Sequence, residues 1–301
     1  MTLPTPISIE EMRERIAGLS SIPSIPAILI PLLRLLEVPP ECVEVQRVVE
    51  LIGHDKSLAA QTLHMANSPL FGRWQNIQTI RGAVVALGMG RVREIATSCC
   101  MLNLLPEKTA TFDPRIFWEH SLGVAFVARR MARKIGYCDP EHAYLAGLIH
   151  DIGLILNFLV LGDQFVSVLR EAANTGVPIG EVEAHSLGLD HALTGGLLAE
   201  HWALADDLKE TIRRHHQPER AQGHHDLICI VNLSDTLCRI RGLGYGFSER
   251  LQAFQSVEPA WLRLAEKFPG LTKSDFAKLS SELDPYLGEV RNLVSVLFRM
   301  Q

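Results

Sequence analysis

The apolar positions of this chain recur mostly at spacings of three and four residues, in short runs separated by Gly, Pro and polar clusters. That period belongs to amphipathic helices, and no run shows the strict alternation of a half-buried strand. A first helix is expected over residues 8–19, opened by Ser8 with Glu10 and Glu11 in its first turn. The Pro-punctuated stretch Ser20–Pro26 reads as extended. Ala27–Glu37 then continues as a helix, tolerating Pro31 near its start and ending at Pro39-Pro40. Val45–Ile52 and Leu58–Asn67 follow, then a turn over Asn67–Gly72. Ile80–Leu87 and Val92–Leu105 read as two helices meeting at the corner Gly88-Met-Gly90.

The second half begins with a long helix, Pro114–Ile135, closed by Gly136. Leu145–Leu156 is apolar almost throughout and reads as one uninterrupted buried helix with His150-Asp151 in its middle. Helices are expected near 161–175 and 178–187, from Asp190 to Trp202, from Asp206 to His216, and from His224 to Arg241. Three more are expected near 248–254, 258–267 and 273–299, the last interrupted at Pro285. The fold class is all-α, a two-lobed helical bundle with a boundary in the polar stretch Pro106–Pro114. Three consecutive segments result: 1–110, 111–246 and a helical extension at 247–301, which would cover the site or build a dimer surface.

The chain has 301 residues, 47% of them hydrophobic and 21% charged, the composition of an ordered globular protein. A net charge of −5 with no Lys/Arg-rich face excludes electrostatically driven nucleic-acid binding. No stretch reads as a membrane span, and the N-terminus lacks the charged and apolar regions of a signal peptide. The cysteines Cys42, Cys99, Cys100, Cys138, Cys229 and Cys238 show no C-x-x-C pairing, and they suit the reduced interior of a cytoplasmic protein.

Against that apolar background, a few polar residues fall on inward faces. His120 heads a stripe of Val124, Val127, Met131 and Ile135, where a lone histidine is more often a core residue than a ligand. Asp235 shares its face with Ile228, Val231 and Cys238, where a carboxylate is costly unless paired or bound to a metal. His215-His216 ends a helix, a position the helix dipole alone would favour, and His191 opens one. His54-Asp55 shows that a His-Asp pair can occur without further ligands nearby. Together His120, His150, Asp151, His191, His215, His216 and Asp235 lie on five different helices, one or two per helix, as bundle metal ligands do. Nitrogen and oxygen donors without sulfur suit one or two divalent transition-metal ions, Fe, Mn, Ni or Zn, or Mg at the carboxylate end.

The order His120, His150-Asp151, Asp235 resembles the H…HD…D signature of the HD superfamily of metal-dependent phosphohydrolases. His191 and His215-His216 are similar to the extra ligands of its HD-GYP branch. The resemblance to the HDOD family, the HD-related output domain, spans about residues 16–241. It rests on Leu19–Pro26, Asp55-Lys-Ser-Leu58, Ala66-Asn-Ser-Pro69, Ala83–Gly88, Trp118-Glu-His-Ser121, Ala146–Gly153, Gly188-Leu-Asp-His191 and His215-His-Gln-Pro218. It implies two helical lobes with an HD-type C-terminal lobe, a role as a bacterial signal-transduction output module, and other signalling proteins as partners. It also implies that Asp55 is structural. Leu154 stands where hydrolytic relatives carry Lys, Ile116 stands where a further carboxylate ligand would be wanted, and Gly-Tyr-Pro is missing. These departures argue against an enzyme. The alternative is a phosphohydrolase acting on a nucleotide or cyclic dinucleotide, with Asp151 bridging the ions and Arg213 or Arg214 meeting phosphate.

Overall fold

The computed structural model describes residues 6–18, 28–36, 38, 42–71, 77–104, 112–245, 259–268, 278 and 281–299, among which every regular element is helical. The contacts gather residues 1–22 with 106–281 in one compact unit, and 23–105 with 282–301 in a second. They do not follow the three consecutive segments 1–110, 111–246 and 247–301, because each end of the chain packs with the other half. Close packing between elements far apart in sequence leaves no local trace in composition.

In the second unit, α2 (Leu29–Leu36), α3 (Val45–Gly53), α4 (Lys56–Ala66), α5 (Ile80–Leu87) and α6 (Met89–Leu102) pack on one another. Asp55 accepts hydrogen bonds from the backbone of Ser57 and Leu58 at 2.8 and 3.1 Å, so it caps α4. His54 beside it is exposed. That His-Asp pair is therefore a helix start. Residues 281–282 are helical, Leu283 is a turn, and Asp284–Leu297 then begins a further helix with Pro285 in its first turn, where its missing N–H costs nothing; the expected interruption falls there. The stretches Ser20–Pro26 and 248–254 lie outside the described residues.

The first unit contains α1 (Ile9–Ala17) and the run from α7 (Pro114–Ile135) to α8 (Pro140–Ile149), α9 (Ile152–Leu161), α10 (Asp163–Thr175) and α11 (Ile179–Leu187). It continues with α12 (His191–His201), α13 (Asp206–Arg214) and α14 (His225–Ile240). Capping residues mark several starts: Asp113, Asp139 and Asp190 each accept a backbone N–H from the first turn that follows. Asp206 is the first residue of α13, not its cap, and pairs with Lys209. The helix α7 runs along α8 and α14, while α12 lies between α9 and α13 with α1 against it.

Two close approaches set this packing. A Cβ at Gly147 of α8 would come within 3.0 Å of the backbone of Val124 and Ala125 in α7. One at Gly153 of α9 would lie 1.9 Å from the carbonyl oxygen of His191 in α12. Both pairs of helices touch backbone to backbone. Residues 140–161 are apolar and long enough to cross a membrane by length and composition alone, although Asp151 interrupts their uncharged run. Their most apolar stretch is 83% buried within the protein, so it forms the core of this unit.

Candidate metal centre

His150 and Asp151 are not in the middle of a helix. They form the turn between α8 and α9, and Asp151 has φ −100° and ψ 18°. On a continuous helix, successive side chains diverge by about 100°, so two neighbours could not both face one point. The turn lets them converge. His150 Nε2 lies 3.2 Å from Asp151 Oδ2.

The other elements close around Asp151. From α7, His120 Nε2 reaches to 3.6 Å of Asp151 Oδ2 and 3.1 Å of Asp235 Oδ1. His191, the first residue of α12, places Nε2 3.4 Å from Asp151 Oδ1. His215, in the turn after α13, places its own at 3.1 Å from the same oxygen. His216 Nε2 stands 2.9 Å from that of His191 and 3.0 Å from that of His215. All seven residues singled out in the sequence therefore meet in one place. Six are buried, and His216 is 30% exposed at the rim. The remaining histidines stay apart: His185 and His201 are exposed, and His142 pairs with Asp207 at 2.8 Å.

The decisive geometry is on the far side of each imidazole. Nδ1 of His120, His150 and His215 lies 2.7, 2.8 and 2.7 Å from the carbonyl oxygens of Leu243, Gly147 and Ile212. A carbonyl can only accept, so each Nδ1 carries the proton and each Nε2 turns a lone pair inward. His191 Nδ1 is held by Glu183 Oε2 at 2.5 Å. Within the cluster, Nε2 of His120, Nε2 of His150 and Oδ1 of Asp151 are buried without a hydrogen-bond partner. Buried acceptors facing one another unpaired are costly, and a divalent cation resolves the cost for all of them. The donors fit such an ion. They fall into two groups whose ligand atoms lie within 4.8 Å of one another: Asp151, His191, His215 and His216; and His120, His150 and Asp235.

The electrostatics agree. Burial would raise the carboxyl of Asp151, but His150, His215 and His191 around it hold it well below its ordinary value. Burial likewise opposes the charge of Asp235, yet Arg239 and His120 keep it ionised. Burial would lower His191, and Glu183 and Asp151 outweigh it, lifting the imidazole to about 9. His216 is pushed well below its ordinary value by burial, then by His215 and Arg239.

Several contributors escaped the sequence reading. Glu183 of α11 is fully buried and also accepts the backbone N–H of His191 and the amide of Asn157, both at 2.9 Å. Tyr245 donates its hydroxyl to Asp151 Oδ2 at 2.8 Å. Asn232 donates to the carbonyl of His215 at 2.6 Å, and Arg239 Nε lies 2.6 Å from Asp235 Oδ1. A cavity of about 370 Å³ opens on the cluster, lined by Asp151, His191, His216, Asn232, Arg239 and Tyr245 among others. Arg213 and Arg214, expected to meet phosphate, instead pair with Glu200 and Glu210. Leu154 is buried, so no cation replaces the missing Lys there. Ile116 is 42% exposed.

A helical bundle that gathers His, His-Asp and Asp from separate elements around one buried point is an HD-type domain. The chain belongs to the HDOD domain family, whose model matches residues 22–218. Its structure is similar to that of an HDOD domain protein of unknown function from Geobacter sulfurreducens, at 28% identity and a TM-score of 0.81 over 96% of this chain and 99% of that one. A candidate signal transduction protein from Marinobacter aquaeolei shares the fold at 20% identity and a TM-score of 0.75, over 99% of this chain and 63% of that one. An uncharacterized protein of Treponema pallidum is 23% identical over 79% of this chain, which spans 47% of that relative's length.

Proposed function

We propose that this chain is a regulatory domain of signal transduction. It holds one or two divalent transition-metal ions (Fe, Mn, Ni or Zn) in its His/Asp cluster and acts by binding partner proteins or a small ligand. The observation that carries the metal reading is the set of four imidazoles anchored at Nδ1 with Nε2 turned inward, around the carboxylates of Asp151 and Asp235. His120, His150, Asp151, His191, His215, His216 and Asp235 would hold the ions, and a bound ion would supply a Lewis acid at the cavity wall. The cavity volume falls within the range of small-molecule sites, roughly 300–1,000 Å³. The name of the Marinobacter neighbour agrees with a signalling role.

A second reading is a phosphohydrolase acting on a nucleotide or cyclic dinucleotide. It is favoured by Arg239, which lines the cavity and brings a guanidinium to its wall while pairing with Asp235. Against it stand the buried Leu154 and the pairing of Arg213 and Arg214. Elemental analysis of the wild type and of Asp151→Ala, followed by assays on cyclic dinucleotides and generic phosphoesters, separates the readings. Metal in the wild type without turnover supports the regulatory domain. Turnover abolished by the substitution makes the chain an enzyme, and a wild type without metal, even after reconstitution, refutes both metal readings.

A further inference from the structure

We propose that the cluster loads its cations in a fixed order. The group of Asp151, His191, His215 and His216 fills first, because Glu183 strengthens it. The group of His120, His150 and Asp235 fills second, because Arg239 weakens it. This order rests on the metal reading above.

The two groups use the same kinds of ligand but differ in what stands behind them. His120, His150 and His215 rest their Nδ1 atoms on neutral carbonyls, whereas His191 rests its own on the carboxylate of Glu183. A carboxylate behind an imidazole fixes the ring and raises its basicity as a ligand, and losing such a partner typically costs about 10–100-fold in metal affinity. Glu183 is placed for this role and little else. It is fully buried, its Oε1 is held by Asn157, and its Oε2 takes both the backbone and the ring N–H of His191. It reaches the cation only through His191, so it is a positioning residue.

The carboxylates differ in the same direction. Oδ1 of Asp151 makes no hydrogen bond and faces His191 and His215 directly. Oδ1 of Asp235, the oxygen 3.1 Å from His120, is already engaged by the Arg239 guanidinium at 2.6 Å. A cation entering the second group must share that oxygen with a fixed positive charge and is repelled by it. The first group thus has a net excess of buried negative charge, counting Glu183. In the second, Arg239 offsets Asp235.

The test is a titration of metal-free protein with Zn²⁺ against a chelating competitor, repeated with Co²⁺ and followed by visible absorption. In the wild type, the first equivalent binds at least about tenfold more tightly than the second, from the magnitude above. Asp235→Asn retains the first step and loses the second. His216→Ala, whose partly exposed side chain makes it the variant least costly to folding, weakens the first step. Glu183→Gln weakens that step by about 10–100-fold and shifts the Co²⁺ spectrum, while Arg239→Gln strengthens the second. The order is overturned if Asp235→Asn removes the tighter step while His216→Ala keeps it. It is equally overturned if Glu183→Gln leaves both steps and the spectrum unchanged in a protein that does bind metal. A wild type that takes up neither ion overturns the metal reading and the order together.

Discussion

Replacing Gly153 by Ala tests whether the contact between α9 and α12 sets the metal site. The added Cβ would lie 1.9 Å from the carbonyl oxygen of His191, 2.7 Å from its carbonyl carbon and 2.8 Å from the amide nitrogen of Gly195. All three obstacles are backbone, so no rotamer change relieves them. The nearest approach is 1.5 Å short of the 3.4 Å at which ordinary contact begins, and α12 must retreat by a distance of that order. Its retreat carries His191 away from Asp151, which it now faces at 3.4 Å. It cannot go freely, because Gly195 on the same helix already lies where a Cβ would be 2.8 Å from Ile212 of α13. Overpacking of this kind costs about 1–3 kcal/mol, and the backbone clash places it at the upper end. At roughly 2–4 °C per kcal/mol for a domain of this size, Tm falls by about 6–12 °C. Metal affinity falls at least about tenfold, as expected when a ligand is displaced. Thermal unfolding of the metal-free protein and a chelator-competition titration read the two effects separately. Gly288→Ala is the control: nothing lies within 4 Å of its Cβ. A helix-interior Gly-to-Ala change there should stabilise by about 0.5–1 kcal/mol. If Gly153→Ala unfolds within a degree or two of the wild type and binds metal equally well, the backbone contact does not position His191.

Two further outcomes follow from the same geometry. Asp55→Ala removes the cap of α4 and should cost about 1 kcal/mol, with metal content unchanged; loss of metal in this variant would refute a purely structural role for the first His-Asp pair. Protonation should compete with the cation. With His191 raised to about 9 once Glu183 and Asp151 outweigh burial, its ring is charged at pH 7 in the metal-free protein. Metal binding therefore releases that proton, and affinity rises with pH until about 9 and then levels off. Calorimetry in buffers of different ionisation enthalpy measures the release, and an affinity constant between pH 6 and pH 9 would exclude it.

The helical class was legible in the spacing of the apolar positions, and Asp235 was legible because burial of a polar group is expensive. A carboxylate on the apolar face of α14 needed a partner, and that need singled out Asp235 from local sequence alone. The same reasoning reaches Glu183. It stands four residues from both Ile179 and Leu187 on the buried side of α11, a carboxylate on an apolar stripe. It supports the ligand His191 and is not itself a ligand, so no motif marks it. Tyr245 carried no such signal, because it follows Gly242-Leu-Gly244, and its role depends on where that segment returns against Asp151.

The break between α8 and α9 was hidden for a different reason. Leu145 to Leu156 offers no proline, and its apolar run satisfies a helix at every step. What interrupts it is a requirement set elsewhere in the molecule. His150 must face His120 and His215 while Asp151 receives His191 and Tyr245. Adjacent residues on a regular helix cannot do both. The turn supplies the missing angle, and Gly147 three residues earlier supplies the carbonyl that anchors His150. Gly153, two residues after Asp151, lets α12 approach closely enough to deliver His191. The glycines that flank the His-Asp pair thus do separate work: one orients a ligand of the second group, and the other brings in a ligand of the first. Local helix propensity is overridden at this one point, because a single well-placed His-Asp turn satisfies more buried polar atoms than a continued helix would.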